Sequence, residues 1–318
     1  MNRTELIDQV RVDLARAGYA VSERCDLRPV SFDLVARRDD HLLIVKVLTN
    51  VDALSDPIAQ EIKLLCKFLH ARPILVGLRA GAGVLEDGVM YNRHDVPIVT
   101  PATLREHILR GESPMVFAAP GGFYVHLDSE ALRAARVAAE LSLGVMAQRA
   151  GVSRRAIQMY EHGMSASIEA AMRLEDFLGV ELIRPLDPFA SFRPESYEPE
   201  RGREETGDPV ERLVMGLLQG LGYDVRRTQR SPFNALSTQD ADTLLTGIGE
   251  EGAKARRRAK VIHSVSRITE RPGFFVVERT TRTEIHGLPV VSRHELMRLD
   301  DPQRILDLIL ERARGERT

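Results

Sequence analysis

LRAARVAAELSLGVMAQRAGVSRRAIQMYEHGMSASIEAAMRLEDFLGV, residues 132–180, reads as a series of short helices separated by capping residues. Leu132, Ala135 and Leu141 supply the apolar face of a first helix. Ser142 is a natural N-cap for a second, which carries Met146 and Ala147 inward and ends at Gly151. A small residue at 147 lets two helices cross closely, and Gly151 allows a tight turn. The third helix starts at Ser153, buries Val152, Ile157 and Tyr160, and ends at Gly163. The fourth runs from Ser167 to Leu178, offers Ile168, Ala171, Met172, Leu174 and Leu178 to the core, and stops at Gly179.

This stretch closely resembles the Cro/C1-type helix-turn-helix domain. The resemblance rests on Ser142, Met146, Ala147, Gly151, Val152, Ser153, Ile157, Tyr160, Glu161 and Gly163, and extends into the fourth helix. It implies an all-α DNA-binding domain at 128–183 whose third helix, about 153–162, lies in the major groove. Arg154, Arg155 and Met159 are then the outward recognition positions, with Gln158 beside them. An arginine there can pair bidentately with guanine. Ser142 and Ser153, with the helix ends they cap, are placed for phosphate contacts. The family often has Gln where this chain has Leu143, so that polar contact is lost. Gly144 lets the backbone approach a phosphate, and Leu143 could meet a thymine methyl. The resemblance further implies double-stranded DNA as partner and a homodimer on half-sites roughly 34 Å apart.

Working outward, residues 1–112 alternate helix and strand, the order of an α/β or α+β sandwich. TELIDQVRVDLARAG puts Leu6, Ile7, Val10 and Leu14 on one face and stops at Gly18. VSFDLVARR and HLLIVKVL, parted by Arg-Arg-Asp-Asp, suggest a hairpin. A helix over about 57–69 leads into the strand PILVGL, and VPIVTPATLREHIL gives a strand and a helix started by Thr100 and Pro101. Residues 113–127 form a connecting hairpin or strand. Residues 184–207 are Pro-rich and charged, as a linker is.

Residues 208–318 repeat the first domain in degenerate form. GYDV at 222–225 echoes GYAV at 18–21, and HGLPVVSRHELMRL (286–299) echoes HDVPIVTPATLREHI (94–108). Between them, from Ser231 to Arg258, the correspondence is not visible. The arrangement of α/β flanks around a central Cro/C1-type module resembles an archaeal family of helix-turn-helix transcriptional regulators.

The first domain also resembles the PD-(D/E)xK nuclease core, in which an Asp and an acid-x-Lys triplet on adjacent strands hold a divalent metal and activate water. Asp33 and Lys46 match two of those positions, and Glu5 matches the extra acid of resolvase-like members. Ile44 replaces the triplet's acid, so oxygen ligation is short. The second copy offers no acid-x-Lys, although Asp240 and Asp242 remain. These are relic candidates: no catalytic residue, metal site, cofactor or enzymatic activity is expected. Asp33 and Lys46 can equally be paired charges at strand ends.

The bulk numbers agree. A net charge of −2 excludes a protein that coats nucleic acid indiscriminately, so positive charge must be local. KARRRAK at 254–260 is one such place, either a solvated helix face or added phosphate contacts. Cys25 and Cys66 have no CxxC or Cys/His cluster around them, which argues against zinc and disulfides. No apolar run is long enough to span a membrane, and the N-terminus reads as an amphipathic helix rather than a signal peptide, which points to the cytoplasm. The expectation is a cytoplasmic transcriptional regulator. Its alternatives are a metal-dependent nuclease targeted by its helix-turn-helix, or an antitoxin-like protein-binding scaffold. No motif names an effector.

Overall fold

The computed structural model describes residues 1–27, 30–190, 192–194, 197–198, 208–240 and 242–314. Of the expected linker at 184–207, residues 191, 195–196 and 199–207 lie outside the described residues, as do 315–318 of the expected repeat at 208–318. The chain divides into two compact units: residues 1–47, 53–74 and 192–318 make up one, residues 48–52 and 75–191 the other.

The first unit opens with α1 (Arg3–Arg16), started by a capping box between Asn2 and Glu5, which buries Leu6, Ile7, Val10 and Leu14. Strands β1 (Ala20–Val21), β2 (Leu34–Arg38) and β3 (His41–Asn50) pair antiparallel in succession. Asp39 takes a left-handed conformation, φ 53°, in the turn between β2 and β3. Helix α2 (Asp56–Leu69) follows and ends on left-handed His70, φ 53°.

The second unit contains β4 (Arg72–Ala80, from Leu75 onward), β5 (Gly83–Val84), β6 (Val89–Arg93), β7 (Val96–Val99), α3 (Pro101–Arg110), β8 (Val116–Ala119) and β9 (Gly122–Leu127). Strand β4 is parallel to β7, and β7 is antiparallel to β6. After the β8–β9 hairpin come α4 (Ser129–Ala138), α5 (Leu143–Ala150), α6 (Arg154–Tyr160), β10 (Ala166–Ser167), α7 (Ile168–Leu178) and β11 (Ile183–Arg184). Strand β9 pairs with both β10 and β11. Val125 and Leu127 of β9 are buried with Leu132, Met146, Ile157, Tyr160 and Leu174, and Val116 of β8 packs on them. The hairpin is thus part of the helical module's core. Met172, expected inside, is 53% exposed, because the inward stripe of α7 runs through Ala170, Ala171 and Leu174.

The C-terminal part of the first unit comprises α8 (Pro209–Gly220), β12 (Asp224–Arg227), β13 (Ala235–Gln239), β14 (Asp242–Ile248), α9 (Ala253–Thr269), β15 (Gly273–Val277), β16 (Glu284–Ile285), β17 (Leu288–Ser292), α10 (Arg293–Leu296) and α11 (Pro302–Arg314). Its strand order is β12-β13-β14-β15-β17-β16. Four of its five pairs among the described residues repeat the sense of an N-terminal counterpart: β12–β13 and β13–β14 antiparallel like β1–β2 and β2–β3, then β15–β17 parallel and β16–β17 antiparallel like β4–β7 and β6–β7. The left-handed residues repeat as well: Asp39 with Asp240, His70 with Glu270, His94 with His286.

The structure therefore restores the correspondence that the sequence loses between Ser231 and Arg258. Phe32-Asp33-Leu34 aligns with Phe233-Asn234-Ala235, and Ile44-Val45-Lys46 with Leu245-Thr246-Gly247, on the shared register of the two hairpins. The repeat was hidden because Ala36 and Val45 are replaced by Ser237 and Thr246, buried small polar residues that erase the apolar alternation without changing the backbone.

Candidate nucleic-acid interface

The helical module is built by its caps. Asp128 accepts from the Ala131 N–H (2.9 Å), and that bond and Arg184 hold its carboxyl below the usual range. Ser142 accepts from Val145 (3.2 Å), Ser153 from Ala156 (3.1 Å) and Ser167 from Ala170 (3.3 Å). Gly151 and Gly179 close α5 and α7 in the left-handed region, φ 72° and 66°. Arg136 of α4 grips Glu161, just after α6, with two bonds of 2.5 and 3.0 Å, and Glu161 is 6% exposed. Ser129 donates to the Tyr160 carbonyl at 2.6 Å. These contacts tie the end of α6 to α4, so that α6 is held rigidly while its other face stays open.

That open face carries Arg154, Arg155, Gln158 and Met159, all exposed, around buried Ile157 and Tyr160. Arg154 lies over Gly144: a Cβ there would come within 3.0 Å of the guanidinium, so a glycine at 144 lets α6 and α5 share one surface. Ser142 and Ser153 are exposed at the starts of their helices. Leu143 is different, being half-buried against the core.

In the N-terminal copy, Asp33 and Lys46 come together in the interior. Asp33 is fully buried; its Oδ2 accepts from the Val47 N–H (2.8 Å) and lies 3.9 Å from Lys46 Nζ. Lys46 donates to the Val30 carbonyl at 2.7 Å. The remaining carboxylate oxygen, Oδ1, is taken by Arg3 at 2.5 Å, and the same guanidinium donates to the Val47 carbonyl at 2.9 Å. Glu5 does not join them, because its carboxylate closes the capping box on Asn2. Ile44 is buried in the core where the metal-binding acid would stand.

The C-terminal copy repeats the backbone with different chemistry. Asn234 stands at the Asp33 position and accepts from the Ile248 N–H (2.8 Å), as Asp33 does from Val47. Gly247 stands at the Lys46 position, and any Cβ there would come within 2.5 Å of Phe275 and 2.8 Å of Ile262. Asp240 is in the turn and Asp242 starts β14, so neither occupies the Asp33 position. Arg258 of α9 donates to Asn234 Oδ1, to the Ile248 carbonyl (2.8 Å) and to the Pro232 carbonyl (2.8 Å). Burial pushes the Arg258 pKa down, and Glu211 opposes that shift.

A divalent metal does not fit either copy. The first has one carboxylate, already saturated by a guanidinium, a lysine and a backbone N–H; the second has a neutral amide at the Asp33 position, no lysine at the Lys46 position, and one carboxylate, Glu211, which accepts from the Asn234 amide and from Arg227 (2.9 Å). Magnesium needs carboxylate and water oxygens in near-octahedral array. Among the described residues no three His, Cys, Asp or Glu side chains converge on one point. Burial pushes the Cys25 thiol up to about 12 and raises that of Cys66, so both stay protonated.

A family model described as "PD-(D/E)XK superfamily domain" matches residues 3–114, and one described as "Helix-turn-helix" matches residues 132–183. A protein of Methanosarcina mazei is 39% identical over 98% of each chain, one of Halobacterium salinarum 40% over 98% of each, and one of Natronomonas pharaonis 35% over 99% of this chain and all of its own. Each is described as a "Putative HTH-type transcriptional regulatory protein". The chain belongs to this family. No solved structure matches it. The family's helix-turn-helix segment is the module whose caps and open α6 face are described above, and its PD-(D/E)XK segment is the copy closed by Arg3.

Sequence reasoning missed Arg3 and Arg258, which reach equivalent atoms from different helices. It also missed Glu61, a nearly buried carboxylate of α2 that accepts from the N–H groups of Gln229 (3.0 Å) and Arg230 (2.8 Å) and from the Ser231 hydroxyl (2.7 Å). Nothing in local pattern marks such residues, since their partners are distant in sequence.

Proposed function

We infer that this protein is a transcriptional regulator that binds duplex DNA in the major groove through α6. The observation that carries this is the open face of a rigidly held helix bearing Arg154, Arg155, Gln158 and Met159. Arginine at such positions discriminates a base by about 1–3 kcal/mol. Ser142 and Ser153, with the Gly144 backbone, contact flanking phosphates and set the register, while Leu143 contributes mainly to packing. One such module per chain suits a homodimer on a two-fold site. We place the protein in the cytoplasm; among the described residues no helix is long and apolar enough to cross a membrane.

The flanking copies act as non-catalytic scaffolds in this reading, supported by the guanidinium set against Asp33 and against Asn234. Selection of bound fragments from genomic DNA tests the main claim. Arg154→Ala/Arg155→Ala should lose sequence preference, with an affinity drop of about 2–5 kcal/mol; preference unchanged in that variant would refute the assignment. A nuclease reading keeps one point of support, the PD-(D/E)XK match. Incubation with duplex and branched DNA plus Mg²⁺ or Mn²⁺ should leave the DNA intact, and cleavage abolished by Asp33→Asn would overturn the scaffold assignment.

A further inference from the structure

Helices α2 and α9 hold equivalent places in the two copies. Both end on a left-handed residue, His70 or Glu270, which aligns Asp56 with Arg256, Gln60 with Lys260 and Lys67 with Arg267. The surfaces they present are unlike. The outer face of α2 carries Tyr197: Gln60 accepts from the tyrosine hydroxyl (2.9 Å), Lys63 lies 5.4 Å from the ring centroid, and Lys67 donates to the Tyr197 carbonyl (2.6 Å).

Among the described residues the outer face of α9 has no such cover. The helix carries Lys254, Arg256, Arg257, Arg258, Lys260 and Arg267 and no acidic residue. Arg258 turns inward, and Lys260 makes an exposed pair with Glu23 at 3.1 Å. Lys254, Arg256, Arg257 and Arg267 are exposed, and their side chains make no ion pair or hydrogen bond among the described residues. Like charges crowded on one helix repel one another, and here they stand in a chain whose net charge is −2. A 17-residue helix rises about 25 Å, a length along which duplex DNA offers a row of phosphates spaced about 3.4 Å per strand.

We propose that this face of α9 is a second contact with duplex DNA, made to the phosphate backbone and independent of base sequence. The proposal rests on the DNA-binding reading above and adds a site outside the helix-turn-helix. Exposed guanidinium and ammonium groups that meet only phosphates read no base edge, so they contribute affinity and salt dependence, not discrimination. The C-terminal copy then adds phosphate contacts of its own to duplex DNA.

The test uses the full chain and a duplex obtained by selection with the wild-type protein. Three variants are compared: Lys254→Gln/Arg256→Gln/Arg257→Gln on α9, Arg154→Ala/Arg155→Ala on α6, and a charge-matched control, Arg11→Gln/Arg16→Gln/Arg212→Gln, at exposed positions elsewhere. Affinity is measured from about 50 to 200 mM salt, with hydroxyl-radical footprinting. The α9 variant should bind about 10–100-fold more weakly, lose about 2–3 from the log–log salt slope, and give a shorter footprint with the same sequence preference. The α6 variant should lose that preference, and the control should match wild type. An α9 variant with wild-type slope and footprint would overturn the proposal while leaving the reading by α6 intact, as would an equal slope change in the control. Failure of the wild-type protein to bind any duplex would instead remove the DNA-binding reading, and this proposal with it.

Discussion

The two flanking copies satisfy the same atoms by different means. In the first, Arg3 of α1 reaches Asp33 and the Val47 carbonyl; in the second, Arg258 of α9 reaches Asn234 and the Ile248 carbonyl. Asp33 and Asn234 in turn accept the N–H of Val47 and Ile248. What both copies retain is a demand for hydrogen bonding at the ends of two strands, not an acid–base pair. An amide meets that demand as well as a carboxylate, so the second copy keeps the same backbone with Asn234 bonded to Glu211 and with no lysine or space for one at Gly247. The side chains differ between the two sites; the backbone requirement is shared.

The comparison can be broken most severely at Arg258. Its guanidinium donates to three partly buried acceptors and stacks 5.4 Å from the Phe275 ring centroid, so Arg258→Ala should cost about 3 kcal/mol. Urea unfolding followed by circular dichroism would measure it, and a loss below about 1 kcal/mol would show that the second copy does not depend on its guanidinium. A smaller effect is expected at Arg3, whose side chain is 26% exposed and whose carboxylate partner retains Lys46. Arg3→Ala should cost about 2 kcal/mol, and Arg3→Ala/Asp33→Asn should recover part of it, because the second copy already tolerates Asn there. A double variant no more stable than the single one would end the analogy between the copies.

The smallest effect sharpens a difference at the next helix. Glu295 of α10 stands where the first copy has Thr103. Burial alone would raise its pKa, but hydrogen bonds from Arg312 and Ser292 hold it below its ordinary 4.5. A depressed carboxyl contributes stability above its unfolded value and loses it as pH falls through the lower folded value. The stability difference between wild type and Glu295→Gln should therefore be constant above about pH 5 and shrink below about pH 4.5, amounting to under about 1 kcal/mol for so exposed a pair. A difference independent of pH across that range would show that only the neutral capping geometry matters.

Legibility followed the range of the interactions. In α5, α6 and α7 the caps, the glycine stops and the buried stripe are local, and Ser142, Gly151, Ser153, Ile157 and Gly179 act as their positions suggested. Met172 failed because Ala170, Ala171 and Leu174 occupy the inward face of α7 and leave it on the opposite one. Asp33 and Lys46 were identified as a pair, but their environment was not, since Arg3 lies on another element and closes the site only after packing. In the second copy the strands were obscured by Ser237 and Thr246, and their identity with β2 and β3 appears only in the register of the hairpin and the left-handed Asp240.

The sequence by itself determined the helix-turn-helix, the outward placing of Arg154 and Arg155, the repeat at both ends of the flanking domain, and the loss of the acid at Ile44, because periodicity, capping and residue chemistry act over a few residues. Only the tertiary structure decided that guanidiniums stand against Asp33 and Asn234, that Glu61 ties α2 to the segment at 229–231, and that Tyr197 lies on α2 while Lys254, Arg256, Arg257 and Arg267 of α9 stay exposed and unpaired among the described residues. Those outcomes depend on which side chains from remote segments meet when apolar faces pack, and an isolated string of residues holds no distance between them.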